Sequence, residues 1–199
     1  MDKENRKNIT YVNWALILIN IIVFLWIELG GSSEDTAWMV EHGAMFGPFL
    51  LERGEYYRVF TAMFLHFGVS HLMNNMLILF VIGNYLEKVF GRLKYLIFYL
   101  LCGISANVCS LWYYMNRDPM TVSAGASGAV FGVMGGLLWA VIRNKGHLEG
   151  LHTRQLVFML LLSLYLGFSS IGVNNVSHIT GMLTGFLLAV ILYHPKNLD

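Results

Sequence analysis

Six stretches of this chain are almost wholly apolar: about Tyr11–Leu29, His71–Leu86, Leu93–Tyr114, Ser127–Ile142, Leu156–Val173 and Val176–Tyr193. Each approaches the ~20 residues that a helix needs to cross a bilayer. The composition agrees, with 56% hydrophobic and 13% charged residues, where an ordinary soluble domain carries about 25% charged. The expected fold is therefore an all-α membrane protein, with six transmembrane helices in one compact bundle. No repeat, low-complexity tract or linker divides the chain, so residues 1–199 read as a single membrane domain. The tails are 1–10 and 195–199. The first apolar run lacks a small-residue cleavage site and is long enough to span, so it is expected to stay as a helix. No Arg/Ser-rich transit sequence precedes it. The net charge of +1 gives no sign of a nucleic-acid partner. Cys102 and Cys109 fall seven apart in one helix, share a face, and read as packing residues rather than metal ligands.

Lysines and arginines orient the bundle. Ten of them (Lys3, Arg6, Lys7, Lys88, Arg92, Lys94, Arg143, Lys145, Arg154, Lys196) fall on the side of the two tails, and only Arg53, Arg58 and Arg117 on the other. By the positive-inside rule both termini are cytoplasmic. The outer loop between the first two helices, 30–70, is long and rich in Trp38, Phe46, Phe49, Tyr56, Tyr57, Phe60 and Phe64. It is expected to be partly helical and to lie in the outer interface of the lipid bilayer.

Three helices then start from the same outer side carrying polar groups: His71 and Asn75, Ser127, and His178. Counting ~1.5 Å per residue to the nearest inner cation puts them about 26, 24 and 27 Å above it. In a ~30 Å hydrocarbon layer all are submerged at similar depth. Intramembrane polar groups are expensive and point to function. Ser127 lies in Gly125-Ala126-Ser127-Gly128 at a helix start. It is either an N-cap among packing glycines, or a nucleophile beside free backbone N–H groups that can hold an oxyanion. Gly128, Gly132 and Gly136 are spaced by four, and His178, Gly181 and Gly185 share a face. Two such glycine rows let helices four and six pack closely. That packing would bring the His178 imidazole to the Ser127 hydroxyl as a nucleophile–base pair. No acid lies near His178, so a dyad is indicated and a triad is not.

With these residues in place, the chain resembles the rhomboid family of intramembrane serine proteases over its whole length, in the small six-helix form. The resemblance rests on Gly-x-Ser-Gly at Gly125 to Gly128, His-x-x-x-Asn at His71 to Asn75, and His-x-x-Gly-x-x-x-Gly at His178 to Gly185. Tyr57-Arg58 with Thr61, His66 and His71 looks like the family's first-loop pattern. The resemblance implies Ser127 as nucleophile and His178 as general base. It implies His71, Asn75 and the Ser127 N–H as the oxyanion hole. It also implies that the loop at about Gly167 to Asn175 caps the site, and that helix five gates entry of transmembrane protein substrates. Tyr57 stands where the family often has Trp. Phe131 stands where it often has Tyr, and its ring can still stack on His178. Neither change removes a catalytic group. No metal, cofactor or nucleic-acid partner is expected. Without a transit segment or an extra soluble domain, the chain is expected to be a multi-pass protein of a bacterial plasma membrane.

At the end of helix five, Gly167 and Gly172 flank Phe168 and Ile171. Glycines weaken a helix by about 1 kcal/mol each, so this end is expected to open, with Phe168 and Ile171 as an apolar lid while Asn174 and Asn175 face water. The competing functions are a small polar-site transporter, which predicts broken helices and repeat symmetry, a haem or metal protein using paired histidines, and a non-catalytic membrane-helix binder that would not need Ser127.

Overall fold

The computed structural model describes residues 10–148, 150–169 and 173–193. In chain order it contains α1 (Tyr11–Gly30), α2 (Thr36–Glu41), β1 (Met45–Phe46), α3 (Gly47–Arg53), α4 (Arg58–Thr61) and α5 (Gly68–Phe90). These are followed by α6 (Arg92–Met115), β2 (Val122–Ser123), α7 (Ser127–Arg143), β3 (His147–Leu148), β4 (Leu151–His152), α8 (Thr153–Ser169) and α9 (Asn175–Leu192). Helices α1, α5, α6 and α9 are long and apolar enough to cross a membrane, and α7 and α8 are shorter apolar helices. The fold is a helical membrane fold, but not strictly all-α. Two minimal antiparallel pairs join β1 to β2 and β3 to β4.

Helix α7 is the centre. Every residue from Ser127 to Leu137 is buried. A helix that is apolar all round and covered all round belongs in the middle of a bundle. Its glycines set the distances. A Cβ on Gly181 or Gly185 of α9 would run into the carbonyl oxygens of Gly128 and Gly132. The α7 glycines themselves face two ways. Gly132 and Gly136 meet Cys102 and Phe98 of α6, whereas Gly135 meets the Met182 backbone of α9. The two cysteines therefore do not share an environment: Cys102 is packed on α7 and Cys109 is exposed.

Helix α5 is not regular. Residues Leu79–Gly83 form a π-helical stretch between Gly68–Ile78 and Asn84–Phe90. Such a bulge leaves carbonyls out of the α ladder, and α1 answers it. Asn13 Nδ2 donates to the Leu79 carbonyl at 3.0 Å and to Asn84 Oδ1 at 3.0 Å, while Tyr95 donates to Asn13 Oδ1 at 2.7 Å. Glu87, which stands inside an apolar run, caps α1. Its carboxylate accepts the N–H groups of Val12 at 3.1 Å and Asn13 at 2.7 Å, two of the donors a helix start leaves free.

The outer loop contains α2, α3 and α4 and divides its apolar residues between two sides. Met39, Met45, Leu50, Met63 and Leu65 are buried, whereas Leu51, Tyr56, Tyr57 and Phe60 are exposed. Arg58 is buried and ties the loop together. It donates to the carbonyls of Val40 and Ala44 and pairs with Glu55 at 2.5 Å. The Arg58 hydrogen bond holds the Glu55 carboxyl below the usual carboxylate range. Tyr57 donates to Glu55 at 3.1 Å, so the loop is anchored with tyrosine at this position.

Candidate active site

Ser127 opens α7, yet its hydroxyl is not a cap. Ala126 holds the N-cap position, and no side chain caps this helix. The first helical hydrogen bond comes from the Val130 N–H to the Ala126 carbonyl. The N–H groups of Ser127, Gly128 and Ala129 thus precede the helical ladder and stand free of it. The approach to the helix is pinned from outside. The Gly125 N–H donates to the Ala62 carbonyl at 2.9 Å, and the Ala126 N–H to His66 Nε2 at 3.4 Å. His66 in turn lies edge-on to His71, with ring centroids 5.1 Å apart.

Gly125 has a φ of +149°, which disfavours any side chain, and its Cβ would fall 2.6 Å from His71 Cε1 and 3.0 Å from His71 Nε2. The same point is 3.6 Å from Ser127 Oγ. The imidazole of His71 and the hydroxyl of Ser127 therefore approach each other across the space that glycine leaves. On the other side, the His178 ring stacks on Phe131, with centroids 4.3 Å apart and planes 13° apart. One turn along α5 from His71, Asn75 is buried, and its Nδ2 has no hydrogen-bond partner among the described residues.

These groups surround two adjoining cavities of about 230 and 510 Å³. His71, Asn74, Ser127, Val173 and His178 line both. Asn75 and Phe131 line the smaller one, which continues between α5 at Leu77 and Ile78 and α8 at Ser163, Leu166 and Gly167. No hydrogen bond joins Ser127 to His178 here. Catalytic hydrogen bonds are often long in a free enzyme and tighten with substrate. A hydroxyl, an imidazole, unpartnered donors and a cavity are the parts that nucleophilic acyl transfer needs.

The other expected positions divide. Gly128, Gly132, Gly181 and Gly185 form the contact between α7 and α9 that supports the site. Phe168 is corrected: it is 64% exposed and lines neither cavity. It continues the outward row of Phe158, Leu161 and Tyr165, all exposed, at the spacing that shares one helix face. The α8 residues that line the smaller cavity at this end are Ser163, Leu166 and Gly167. Ile171 lies outside the described residues. Asn174 and Asn175 are half-buried, and their side chains are held by protein partners. Asn174 caps α9 by accepting the Ser177 N–H at 3.0 Å and donates to Ser110 Oγ, and Asn175 donates to the Gly167 carbonyl. Asn74, which the sequence suggests as a helix-two position facing the end of helix five, lines both cavities, and His71, Asn74 and Asn75 share a helix face by their spacing. Sequence reasoning left His66 without a place in the site. Nothing in the residue pattern signals that contact, which depends on how the outer loop folds back.

A family model described as Rhomboid domain matches residues 53–195. The chain is similar to Rhomboid protease GluP of Bacillus subtilis (strain 168), at 31% identity over 194 residues, covering 98% of this chain and 36% of that protein. It is 36% identical over 150 residues to RHOMBOID-like protein 5 of Arabidopsis thaliana, covering 74% of this chain and 48% of that protein. It is 35% identical over 139 residues to RHOMBOID-like protein 4 of Arabidopsis thaliana, covering 69% and 34%. The chain thus spans less than half the length of each of these relatives.

Proposed function

The chain belongs to the rhomboid family, and on that premise we propose that it is an intramembrane serine endopeptidase acting on transmembrane segments of other proteins. The similarity to Rhomboid protease GluP supports a proteolytic role. In this reading the four long helices and the two shorter ones, α7 and α8, all cross a bacterial plasma membrane with both termini in the cytoplasm, and the cavities open to the outer side. Ser127 Oγ attacks a substrate carbonyl carbon as its proton passes to His178. The carbonyl π pair moves onto oxygen, and His71, Asn75 Nδ2 and the Ser127 N–H stabilise that oxyanion. Collapse breaks the C–N bond, and the imidazolium gives its proton to the leaving amine. Water then resolves the acyl-enzyme by the reverse sequence.

The observation that carries this reading is Asn75 Nδ2, a buried donor on the wall of the Ser127–His178 cavity with no partner among the described residues. A buried polar group left unsatisfied costs about 1–3 kcal/mol, a cost that is offset if a substrate oxyanion supplies the acceptor. Substrate reaches the site between α5 and α8, along the smaller cavity.

The test is labelling of detergent-purified protein with a fluorophosphonate, followed by cleavage of a transmembrane substrate in liposomes. The parent is expected to be labelled at Ser127 and to cleave, and Ser127→Ala and His178→Ala to do neither. Cleavage by Ser127→Ala at the parent's rate refutes the assignment.

A further inference from the structure

We propose that Asn175 is a positioning residue for His178, its amide oxygen accepting the Nδ1–H of the imidazole during turnover, so that the dyad works as a three-part relay. The inference rests on the serine-protease reading above.

For His178 to take the Ser127 proton at Nε2, its hydrogen must sit on Nδ1, and the partner of that nitrogen decides which tautomer is present. His178 Nδ1 is buried with no partner among the described residues. Asn175 precedes it by three residues in α9, on the same helix face. Its Oδ1 is also buried and also without a partner. The amide cannot simply be turned round. Asn175 Nδ2 donates to the Gly167 carbonyl at 3.3 Å, and a carbonyl can only accept, so the nitrogen end is fixed and the oxygen is left over. The two orphaned atoms converge. A methyl on Gly167 would lie 2.8 Å from Asn175 Oδ1 and 3.3 Å from His178 Nδ1. A donor without an acceptor and an acceptor without a donor thus meet over one α-carbon, which has no side chain to separate them.

The surroundings offer His178 nothing stronger. Among the described residues no carboxylate lines either cavity, and the titratable group facing His178 across them is His71. The Phe131 stack holds the plane of the imidazole and leaves it free to move within that plane. When the ring takes the serine proton it becomes cationic, and a hydrogen bond to a charged donor is shorter and about twice as strong as a neutral one. That gain draws Nδ1–H and Oδ1 together at the step where the charge exists. A carboxylate does this in Ser-His-Asp relays and an amide in Cys-His-Asn ones.

Two near-isosteric variants separate the roles of the two ends of the amide. Asn175→Leu removes both. Asn175→Asp keeps an acceptor towards His178 and loses the donor to Gly167. Each is compared with the parent and Ser127→Ala in liposomes, by kcat, KM and thermal midpoint. Asn175→Leu is expected to lower kcat about 10- to 100-fold, the usual loss for a group that orients a reacting ligand, with KM unchanged. Asn175→Asp is expected to restore most of that kcat. If Asn175→Leu fails to fold, the Asn175→Asp kcat decides: near the parent it supports the relay, and far below the parent it overturns it. Asp as impaired as Leu assigns Asn175 to holding Gly167, and Leu at the parent's kcat removes it from the mechanism. Both results leave the protease reading standing. A parent with no Ser127-dependent cleavage overturns both.

Discussion

Gly181→Ala is the smallest change that tests whether backbone contact between α7 and α9 sets the working distance of Ser127 and His178. The added Cβ would run into the Gly128 carbonyl oxygen, with the Gly128 carbonyl carbon 2.8 Å and Cα 3.1 Å away. Ordinary contact begins at about 3.4 Å. All three atoms are backbone, so no rotamer change relieves the overlap, and α9 must move away from α7 by ~1 Å to recover normal packing. His178 lies three residues before Gly181 and Ser127 one residue before Gly128, so the shift is delivered almost undiminished to the pair. A misplacement of that size costs about 100-fold in turnover, and overpacking costs about 1–3 kcal/mol of stability. The assay is kcat on a transmembrane substrate in liposomes, with thermal unfolding in detergent. Leu183→Ala, an exposed position of the same helix, serves as control. Lost stability with kcat unchanged would show that the glycine contact holds the fold but not the catalytic spacing. No change in either would refute the packing argument altogether.

Other outcomes follow from the same coordinates. Asn75→Ala is expected to lower kcat about 10- to 1000-fold without lowering the thermal midpoint, because Nδ2 has no partner to lose; a large fall in midpoint with normal kcat contradicts this. Glu87→Leu strips the Val12 and Asn13 N–H groups of their acceptor, and a loss of about 1–3 kcal/mol in unfolding measurements is expected; an unchanged midpoint would mean that water replaces the cap. Phe168→Ala is expected to leave turnover as it was, since the ring faces outward; faster cleavage would return Phe168 to the entrance.

The six apolar runs and the convergence of His71, Asn75, Ser127 and His178 were legible because both depend on counting along the chain. Helix length follows from apolar run length, and a shared position near one end of three helices follows from where the polar residues fall within the runs. Facing direction was not legible at Phe168. In water an apolar side chain points inward, but in lipid both faces of a helix are apolar and the pattern has no sign. The π stretch at Leu79–Gly83 was hidden for a related reason. Its cause is a set of partners on α1 and α6, Asn13 and Tyr95, far away in sequence. Asn174 and Asn175 were assigned to water on polarity alone, whereas an unfilled helix start and a free carbonyl claimed them.

The enclosure of α7 from Ser127 to Leu137 has a consequence for how the chain tolerates change. Lipid tails are fluid and will flow into any hollow left on the outer row of α8, so a shortened side chain there leaves little void. Around α7 there is no fluid. Its neighbours are the fixed surfaces of α6, α9 and α5, and a methyl group lost from Met134 or Leu137 leaves a void that nothing arrives to fill. For the helix that presents Ser127 the bilayer is therefore not a solvent. A single membrane protein thus holds two regimes of sequence freedom, an outer shell free to drift with its lipids and an inner shaft as constrained as the core of a water-soluble enzyme.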